Sequence, residues 1–207
     1  MLKKFLFAGY CLIATLGAVA QEHMPKKVYT YSDAAAGGGL QKENLFVGGS
    51  LALGFGSYQF NVGATPEIGY SLNNWLDAGV LVNFNYNSIR ADPYLDNTRY
   101  HIFNYGGGVF ARAYPLPFLF LTAQPEYNWI NGNAKYMGPG GGEYSYNTGA
   151  SSLLLGLGYG QRVIGDGSFY ISLMFDVLGN KNSPYNDFNG HPLPVIKAGF
   201  DVYLHRR

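Results

Sequence analysis

The chain has 207 residues, of which only 13% are charged and 16% are aromatic, and its formal net charge is +1. This balance argues against a nucleic-acid partner, which requires a strong basic excess, and a single cysteine, Cys11, excludes a disulfide within the chain. Because soluble domains usually contain about 25% charged residues, the composition is more typical of a surface that faces lipid.

Residues 1–20 have the three parts of a secretory signal peptide. Lys3 and Lys4 precede an apolar run, and Ala18-Val19-Ala20 matches the small-x-small cleavage pattern, which predicts Gln21 as the new N-terminus. The apolar run is shorter than the roughly 20 residues that a spanning helix needs. A retained membrane anchor is the alternative interpretation.

Residues 21–43 are rich in small and polar side chains, with the run Ala34–Gly39 in the middle. We expect a flexible periplasmic tail here, with a short plug or partner-binding strand at Lys27–Tyr31 as the alternative. No later apolar stretch is long enough for a spanning helix. The other structure that satisfies all backbone groups in a bilayer is a closed β-barrel.

From Asn44 to the end of the chain at 207, the sequence alternates between apolar and small or polar residues with period two. In Trp75–Asn87, for example, every even position from Leu76 to Tyr86 is apolar, whereas Asp77 and Asn83 lie on the other face. This pattern predicts an all-β fold, a closed antiparallel transmembrane barrel of about eight strands. The predicted strands are Leu45–Gly56, Gln59–Leu72, Trp75–Asn87, Arg99–Tyr114, Leu119–Trp129, Tyr146–Val163, Phe169–Val177 and Ile196–Leu204.

The connections between these segments alternate in length, which is typical of barrels with short periplasmic turns and longer outer loops. This alternation predicts that both termini lie in the periplasm, and the short first join at Ser57-Tyr58 is the exception among the outer loops. The short joins are Asn73-Asn74, 115–117 and 165–167; the longer, polar ones are 88–98, 131–145 and 180–191.

In these features the chain resembles the eight-stranded outer-membrane barrels of Gram-negative bacteria, the class of the OmpA transmembrane domain and OmpX. The resemblance covers Asn44 to His205 and rests on the eight alternating segments, the turn–loop asymmetry and the signal peptide. It implies a location in the bacterial outer membrane and contact with outer-membrane lipid and lipopolysaccharide. Other outer-membrane proteins are further candidate partners.

Eight charged residues fall on the predicted inner face of the barrel. An eight-stranded barrel is just wide enough for its own side chains to fill it, so we expect these charges to be paired. They form either a salt-bridged core that closes the lumen or the lining of a narrow ion or water path. The predicted lumen residues are Glu67, Asp77, Arg112, Glu126, Arg162, Asp176, Lys197 and Asp201.

Four aromatic residues on the outward face, Tyr70, Tyr86, Tyr127 and Trp129, are predicted to lie at the two membrane interfaces. The sequence contains no recognisable catalytic, cofactor or metal motif. We therefore expect a non-enzymatic barrel that supports envelope integrity or surface contacts, or that is a subunit of a larger complex. The alternatives are an outer-membrane lipid-modifying enzyme and a secreted lipocalin-like barrel. For the enzyme, His101 and His191 lie near the outer ends of strands and Ser88, Ser145 and Ser183 in or beside the outer loops, but they form no recognisable spaced motif.

Overall fold

A computed structural model describes residues 42–55, 59–91, 97–164, 166–186 and 191–204. The predicted signal peptide, all of the predicted tail before Lys42 and the last three residues lie outside these ranges. Within the described residues, no helix is both long and apolar enough to cross a membrane. A 3-10 turn, Lys42–Asn44, leads into the first strand.

Eight antiparallel strands follow one another around a closed ring, in which each strand pairs with its sequence neighbours and β1 also pairs with β8. The predicted fold class, an all-β closed antiparallel barrel, is therefore confirmed. The strands are β1 Leu45–Phe55, β2 Gln59–Asn73, β3 Leu76–Ile89, β4 Thr98–Leu116, β5 Leu119–Tyr136, β6 Glu143–Gln161, β7 Gly167–Asp176 and β8 Val195–Tyr203.

The strands place alternate residues inside and outside the barrel, because successive side chains of a strand point to opposite faces. On β3, Val80 is 55% exposed on the outside, whereas Asp77 is 2% exposed on the inside. The same alternation is seen along β5 and β7. Period-two alternation therefore predicted the inward and outward faces of these strands correctly.

The two ends of the barrel differ in their connections. We call the end that holds the β2–β3, β4–β5 and β6–β7 turns the turn end, and the opposite end the loop end. At the turn end, Phe46, Leu81, Phe110 and Tyr203 form a small apolar cluster inside the barrel. Phe46 fits there because Gly69 has no Cβ, which would otherwise overlap the ring.

The prediction of a long loop over 131–145 is wrong. β5 continues to Tyr136 and β6 begins at Glu143, so only residues 137–142 connect them. The asparagine- and glycine-rich stretch 131–135 has the composition of a loop, yet it pairs in register with 143–147. Cross-strand pairing along the hairpin overrides the turn-forming preference of these residues.

Candidate functional site

Arg112 lies inside the barrel and holds two carboxylates from distant parts of the sequence. Its Nη2 donates to Glu67 Oε1 at 2.5 Å, and its Nη1 donates to Asp201 Oδ2 at 3.0 Å. The hydroxyl of Tyr170 lies 3.0 Å from the same Nη2. All three charged side chains are at most 6% exposed, so they interact out of contact with bulk water.

Aromatic rings enclose the same guanidinium. Its central carbon lies 4.5 Å from the ring centre of Phe110 and 4.4 Å from that of Tyr170. A cation placed over an aromatic face is attracted by the negative charge of that face, more strongly when water is excluded. Arg112 is therefore fixed by two ion pairs and by the rings that pack against it.

A second ion pair closes the turn end. Arg162 donates from Nη2 to Asp77 Oδ1 at 2.5 Å and from Nε to Asp77 Oδ2 at 3.1 Å. Its remaining donors reach the backbone carbonyls of Asn73 and Asn74 at 3.0 and 2.6 Å. Such a two-point contact with a carboxylate is the strongest geometry available to arginine. Here it also ties the end of β6 to the β2–β3 turn.

The other three predicted lumen charges make no ion pair within hydrogen-bonding distance in the described part of the chain. Glu126 accepts hydrogen bonds from the side-chain amides of Gln124 and Asn128, both at 2.7 Å. Lys197 is 4% exposed, and its Nζ has no hydrogen-bond partner among the described residues.

A small cavity lies beside this lysine. Glu67, Arg112, Tyr170 and Lys197 are among the residues that line it, and its volume accessible to water is about 10 Å³. That is close to the space of a single water molecule. This cavity therefore has room for about one water molecule among the side chains that surround it.

The connection between β7 and β8 folds back into the mouth of the barrel at the loop end. Ser183 donates to Asp176 Oδ2 at 2.5 Å and lies 3.1 Å from the hydroxyl of Ser152. Tyr185 packs beside Leu154 and Met174. Burial, followed by the nearby Glu126 carboxylate, raises the pKa of Tyr185 well above its ordinary value, so its hydroxyl stays neutral.

The structure places all eight predicted lumen charges on the inner face, but not in one network. Five of them form two separate ion-pair groups around Arg112 and Arg162, and Asp176 anchors the inward-folded connection. Sequence reasoning missed that connection, which was predicted as an outer loop over 180–191. No alternating pattern marks it, and its signal is limited to the apolar Tyr185 within a polar stretch.

The outside of the barrel carries a broad apolar surface. Its members with exposed large side chains include Leu51, Ile68, Val80, Val109, Leu121, Leu157, Ile171, Ile196 and Val202, which come from all eight strands. On β5 the apolar outward positions run from Leu119 to Trp129. This matches the 9–11 residues with which a tilted strand crosses the hydrocarbon core of a bilayer.

Aromatic residues edge this apolar surface. At the loop end, Trp129 stacks on Tyr105 with ring centres 5.7 Å apart and meets Tyr127 edge-on at 5.1 Å. Tyr86 is exposed and lies nearer the loop end, opposite Phe103 of β4. Tyr70 lies toward the turn end, where it pairs with Leu45 and Ala78, and is only partly exposed.

A shallow groove lies on the outer wall just beyond these aromatics. Tyr86 stacks on His101 with ring centres 6.1 Å apart, and its hydroxyl lies 2.7 Å from His101 Nδ1. Further along the wall come three asparagine amides and a serine hydroxyl. The groove has a volume of about 380 Å³ and is lined by Tyr86, His101, Phe103, Asn131, Gly132, Asn133, Ser145 and Asn147.

The described residues contain no group of three or more histidine, cysteine, aspartate or glutamate side chains that could hold a metal ion. One of the histidines near the outer loops, His101, is engaged by the Tyr86 hydroxyl. Ser88 is its register partner on β3. A nucleophile–base pair needs a serine within hydrogen-bonding reach of a histidine.

No protein-family model matches the chain, and no curated protein matches its sequence. Among solved structures it is similar to the attachment invasion locus protein Ail of Yersinia pestis, with 10% identity, 76% of this chain and 95% of that chain covered, and a TM-score of 0.45. Neisserial surface protein A has 10% identity and a TM-score of 0.47, with 77% of this chain and 97% of that chain covered. Acinetobacter baumannii CarO has 14% identity and a TM-score of 0.44, with 75% of this chain and 96% of that chain covered.

Proposed function

We propose that this chain is a non-enzymatic outer-membrane β-barrel whose lumen is closed, and that it supports the envelope and presents its loop end to the outside. The observation that carries the proposal is the distribution of side chains between the two faces. Large apolar residues are exposed around the outside, whereas charged residues are buried within. In water such an outer face would be an aggregation surface, but in a bilayer it faces lipid.

The same distribution argues against the secreted lipocalin-like alternative. A soluble barrel that binds an apolar ligand needs an apolar interior and a polar exterior. Here the interior contains the ion pairs of Arg112 and Arg162, and exposed residues such as Leu121 and Ile171 cover the exterior. The two faces are reversed relative to that function.

The packing of the lumen favours a structural role over transport. The rings and carboxylates around Arg112 occupy the middle of the barrel, and Ser183 and Tyr185 of the β7–β8 connection lie buried at its loop end. A diffusion pore needs about 16 strands to leave an aqueous channel. The ordered interior instead supports a barrel that serves as a membrane anchor for its loop-end surface.

A lipid-modifying enzyme is the alternative of another class. Its activity would require His101 to activate a serine such as Ser88, whereas the closest hydroxyl partner of the ring is Tyr86 at 2.7 Å. The stacked Tyr86–His101 pair supports a recognition surface rather than a nucleophile–base pair. Incubation of the folded chain with a radiolabelled glycolipid distinguishes an enzyme from a recognition surface. An enzyme should release labelled fatty acid, and its His101→Ala variant should release none.

The orientation remains part of the proposal. Short turns at one end and longer connections at the other favour periplasmic termini, with the signal peptide 1–20 removed and the tail 21–43 in the periplasm. Protease added to intact cells should then cut an epitope inserted at Gly140 but not one added after Arg207. The reverse pattern would overturn this orientation.

The proposal is tested by purification from the outer membrane in mild detergent, followed by electrophoresis with and without heating and by mass spectrometry of co-purified proteins. We expect a lone monomer whose mobility changes on heating. Companions in fixed stoichiometry would instead make the chain a subunit of a larger complex. Recovery only from the soluble fraction would overturn the membrane assignment.

A further inference from the structure

We propose that the groove on the outer wall of β3–β6 binds the uncharged sugar rings of a glycolipid in the surrounding leaflet. The inference rests on the proposed function, because it takes the apolar surface to be embedded in lipid. It adds a ligand class and a set of contact residues.

The height of the groove follows from the strand registers. Trp129 of β5 lies opposite Tyr105 of β4, and it is the last large apolar residue on the outward face of β5, whereas β4 carries one more, Phe103. The next outward position on β5 is Asn131, which lies opposite Phe103 and Asn147. Outward groups at this level meet the headgroup layer, because aromatic residues at the ends of barrel strands mark the membrane interface.

The length of the strands makes this wall project from the membrane. β4, β5 and β6 contain 19, 18 and 19 residues, whereas β7 and β8 contain 10 and 9. A tilted strand needs roughly 9–11 residues to cross the hydrocarbon core. The surplus of the longer strands extends the outer wall on one side of the barrel, beside the headgroups of neighbouring lipids.

The chemistry of the groove fits a sugar better than a phosphate. One part is aromatic, formed by the stacked rings of Tyr86 and His101 together with Phe103. The C–H groups of a sugar ring pack favourably on such faces, because an aromatic face carries partial negative charge. No arginine or lysine lines the groove, so a phosphate would find no charged partner within it.

The other part of the groove supplies neutral donors and acceptors. Asn131 and Asn147 are exposed, and each amide offers two N–H donors and a carbonyl acceptor to the hydroxyl groups of a sugar. Asn133 is held by Glu143 Oε1 at 2.9 Å, which fixes its amide in place. A volume of about 380 Å³ lies within the range of small-molecule sites.

Charged side chains first appear at the outer edge of the groove, where the Glu143 carboxylate accepts a hydrogen bond from Asn133. The next row outward holds Lys135 and Glu143, which form an exposed ion pair at 3.9 Å. Arg99 lies opposite Lys135 in the register. The outer wall thus changes from apolar to aromatic, then to neutral polar and finally to charged. A glycolipid leaflet changes in the same order, from acyl chains through its sugar layer to solvent.

The test uses the full chain folded in detergent micelles and, as its probe, the delipidated core oligosaccharide of a rough-type lipopolysaccharide. Saturation-transfer NMR should show contact between the protein and the sugar protons. Because a hydrogen bond contributes about 1 kcal/mol, the variant Asn131→Ala/Asn147→Ala should bind roughly tenfold or more weakly. Asn182→Ala, which changes an exposed amide on the β7–β8 connection, should bind as the parent does.

Two variants of Tyr86 distinguish the contribution of its ring to sugar binding from that of its hydroxyl. Tyr86→Phe keeps the ring and should retain the sugar, whereas Tyr86→Ala should lose it. Absence of transfer in the parent chain, or equal binding by the parent and the double asparagine variant, would overturn the proposal. Competition by phosphatidylglycerol vesicles as strong as that by the free sugar would also overturn it, because the site would then recognise a general anionic surface.

Heat-modifiable mobility of every variant shows that the barrel is folded, so loss of sugar binding cannot come from loss of the fold. The binding assay does not depend on the location of the chain in cells. A folded barrel that binds no sugar therefore contradicts only the proposed sugar site in the groove. Recovery of the chain from the soluble fraction contradicts only the proposed outer-membrane function.

Discussion

Replacing Arg112 with methionine should destabilise the barrel strongly. The substitution keeps a side chain of similar length against Phe110 and Tyr170 but removes the positive charge that faces Glu67 and Asp201. Both carboxylates then remain buried without the cation that pairs with them. The destabilisation comes from these uncompensated charges, since a paired buried ion contributes little relative to a well-packed apolar group.

The expected magnitude follows from this burial. Removing one partner of a buried ion pair costs about 3–5 kcal/mol. Arg112 has two carboxylate partners, so the value should lie toward the upper end of that range. Combining R112M with Glu67→Gln and Asp201→Asn removes the stranded charges and should recover most of the loss.

The measurement is urea unfolding in lipid vesicles, followed by the fluorescence of two exposed residues, Trp75 in the β2–β3 turn and Trp129 on the outer face of β5. The matched control is Lys135→Met, which breaks an ion pair whose side chains are more than half exposed. Exposed pairs contribute about 0–1 kcal/mol, so the control should unfold nearly as the parent does. A loss below about 1 kcal/mol for R112M would refute the reasoning.

Three further predictions concern the interior, the outer face and permeation. Gly69→Ala places a Cβ 2.9 Å from Phe110 Cζ and closer still to Phe46, so overpacking should lower the free energy of unfolding by about 1–3 kcal/mol. Gly142→Ala, whose Cβ meets nothing within 4 Å, should leave it unchanged. Equal urea midpoints for the two variants would contradict this packing. Val80→Arg puts a charge on the lipid-facing side and should cost about 2–4 kcal/mol in vesicles, but Met137→Arg, beyond the strands, should stay within about 0.5 kcal/mol. Vesicles that contain the folded chain should swell in sugar solutions no faster than protein-free vesicles, and faster swelling would show that the lumen is open.

The barrel itself was predictable from the sequence because alternation with period two is a direct consequence of strand geometry. The inward position of Glu67 or Lys197 follows from its place in the alternation of apolar and polar residues along its strand. Partners could not be predicted in the same way. Arg112 meets Asp201 and Tyr170 only because β4 and the last two strands face one another across a narrow ring.

Two parts of the loop end were predicted wrongly or missed, for different physical reasons. The hairpin beyond Trp129 contains asparagine and glycine, residues typical of turns, yet cross-strand pairing keeps it extended to Tyr136. The β7–β8 connection is polar and was expected outside the barrel. Tyr185 turns inward because Leu154 and Met174 leave an apolar surface in the mouth, which no local pattern reveals.

The groove was also beyond the reach of sequence reasoning. Its lining comes from four strands, so Tyr86, His101, Asn131 and Asn147 lie far apart in the chain. Tyr86 was predicted as an interface aromatic, and the structure adds its stacking on His101. Asn131 belonged to a predicted loop and Asn147 to a predicted strand, and the extended pairing of β5 with β6 makes them neighbours of the aromatic pair.

The central claim, a barrel whose outer face lies in lipid and whose inner face is sealed, is tested most directly by a nitroxide scan along β7. Single cysteines are introduced at each position from 169 to 176 in a chain whose Cys11 is replaced, and the labelled protein is folded into vesicles. Lipid-soluble oxygen should broaden the labels at Phe169, Ile171, Leu173 and Phe175, whereas neither oxygen nor a water-soluble nickel complex should reach the alternate positions. Access of the nickel complex to the odd positions, or uniform access along the strand, would contradict the account.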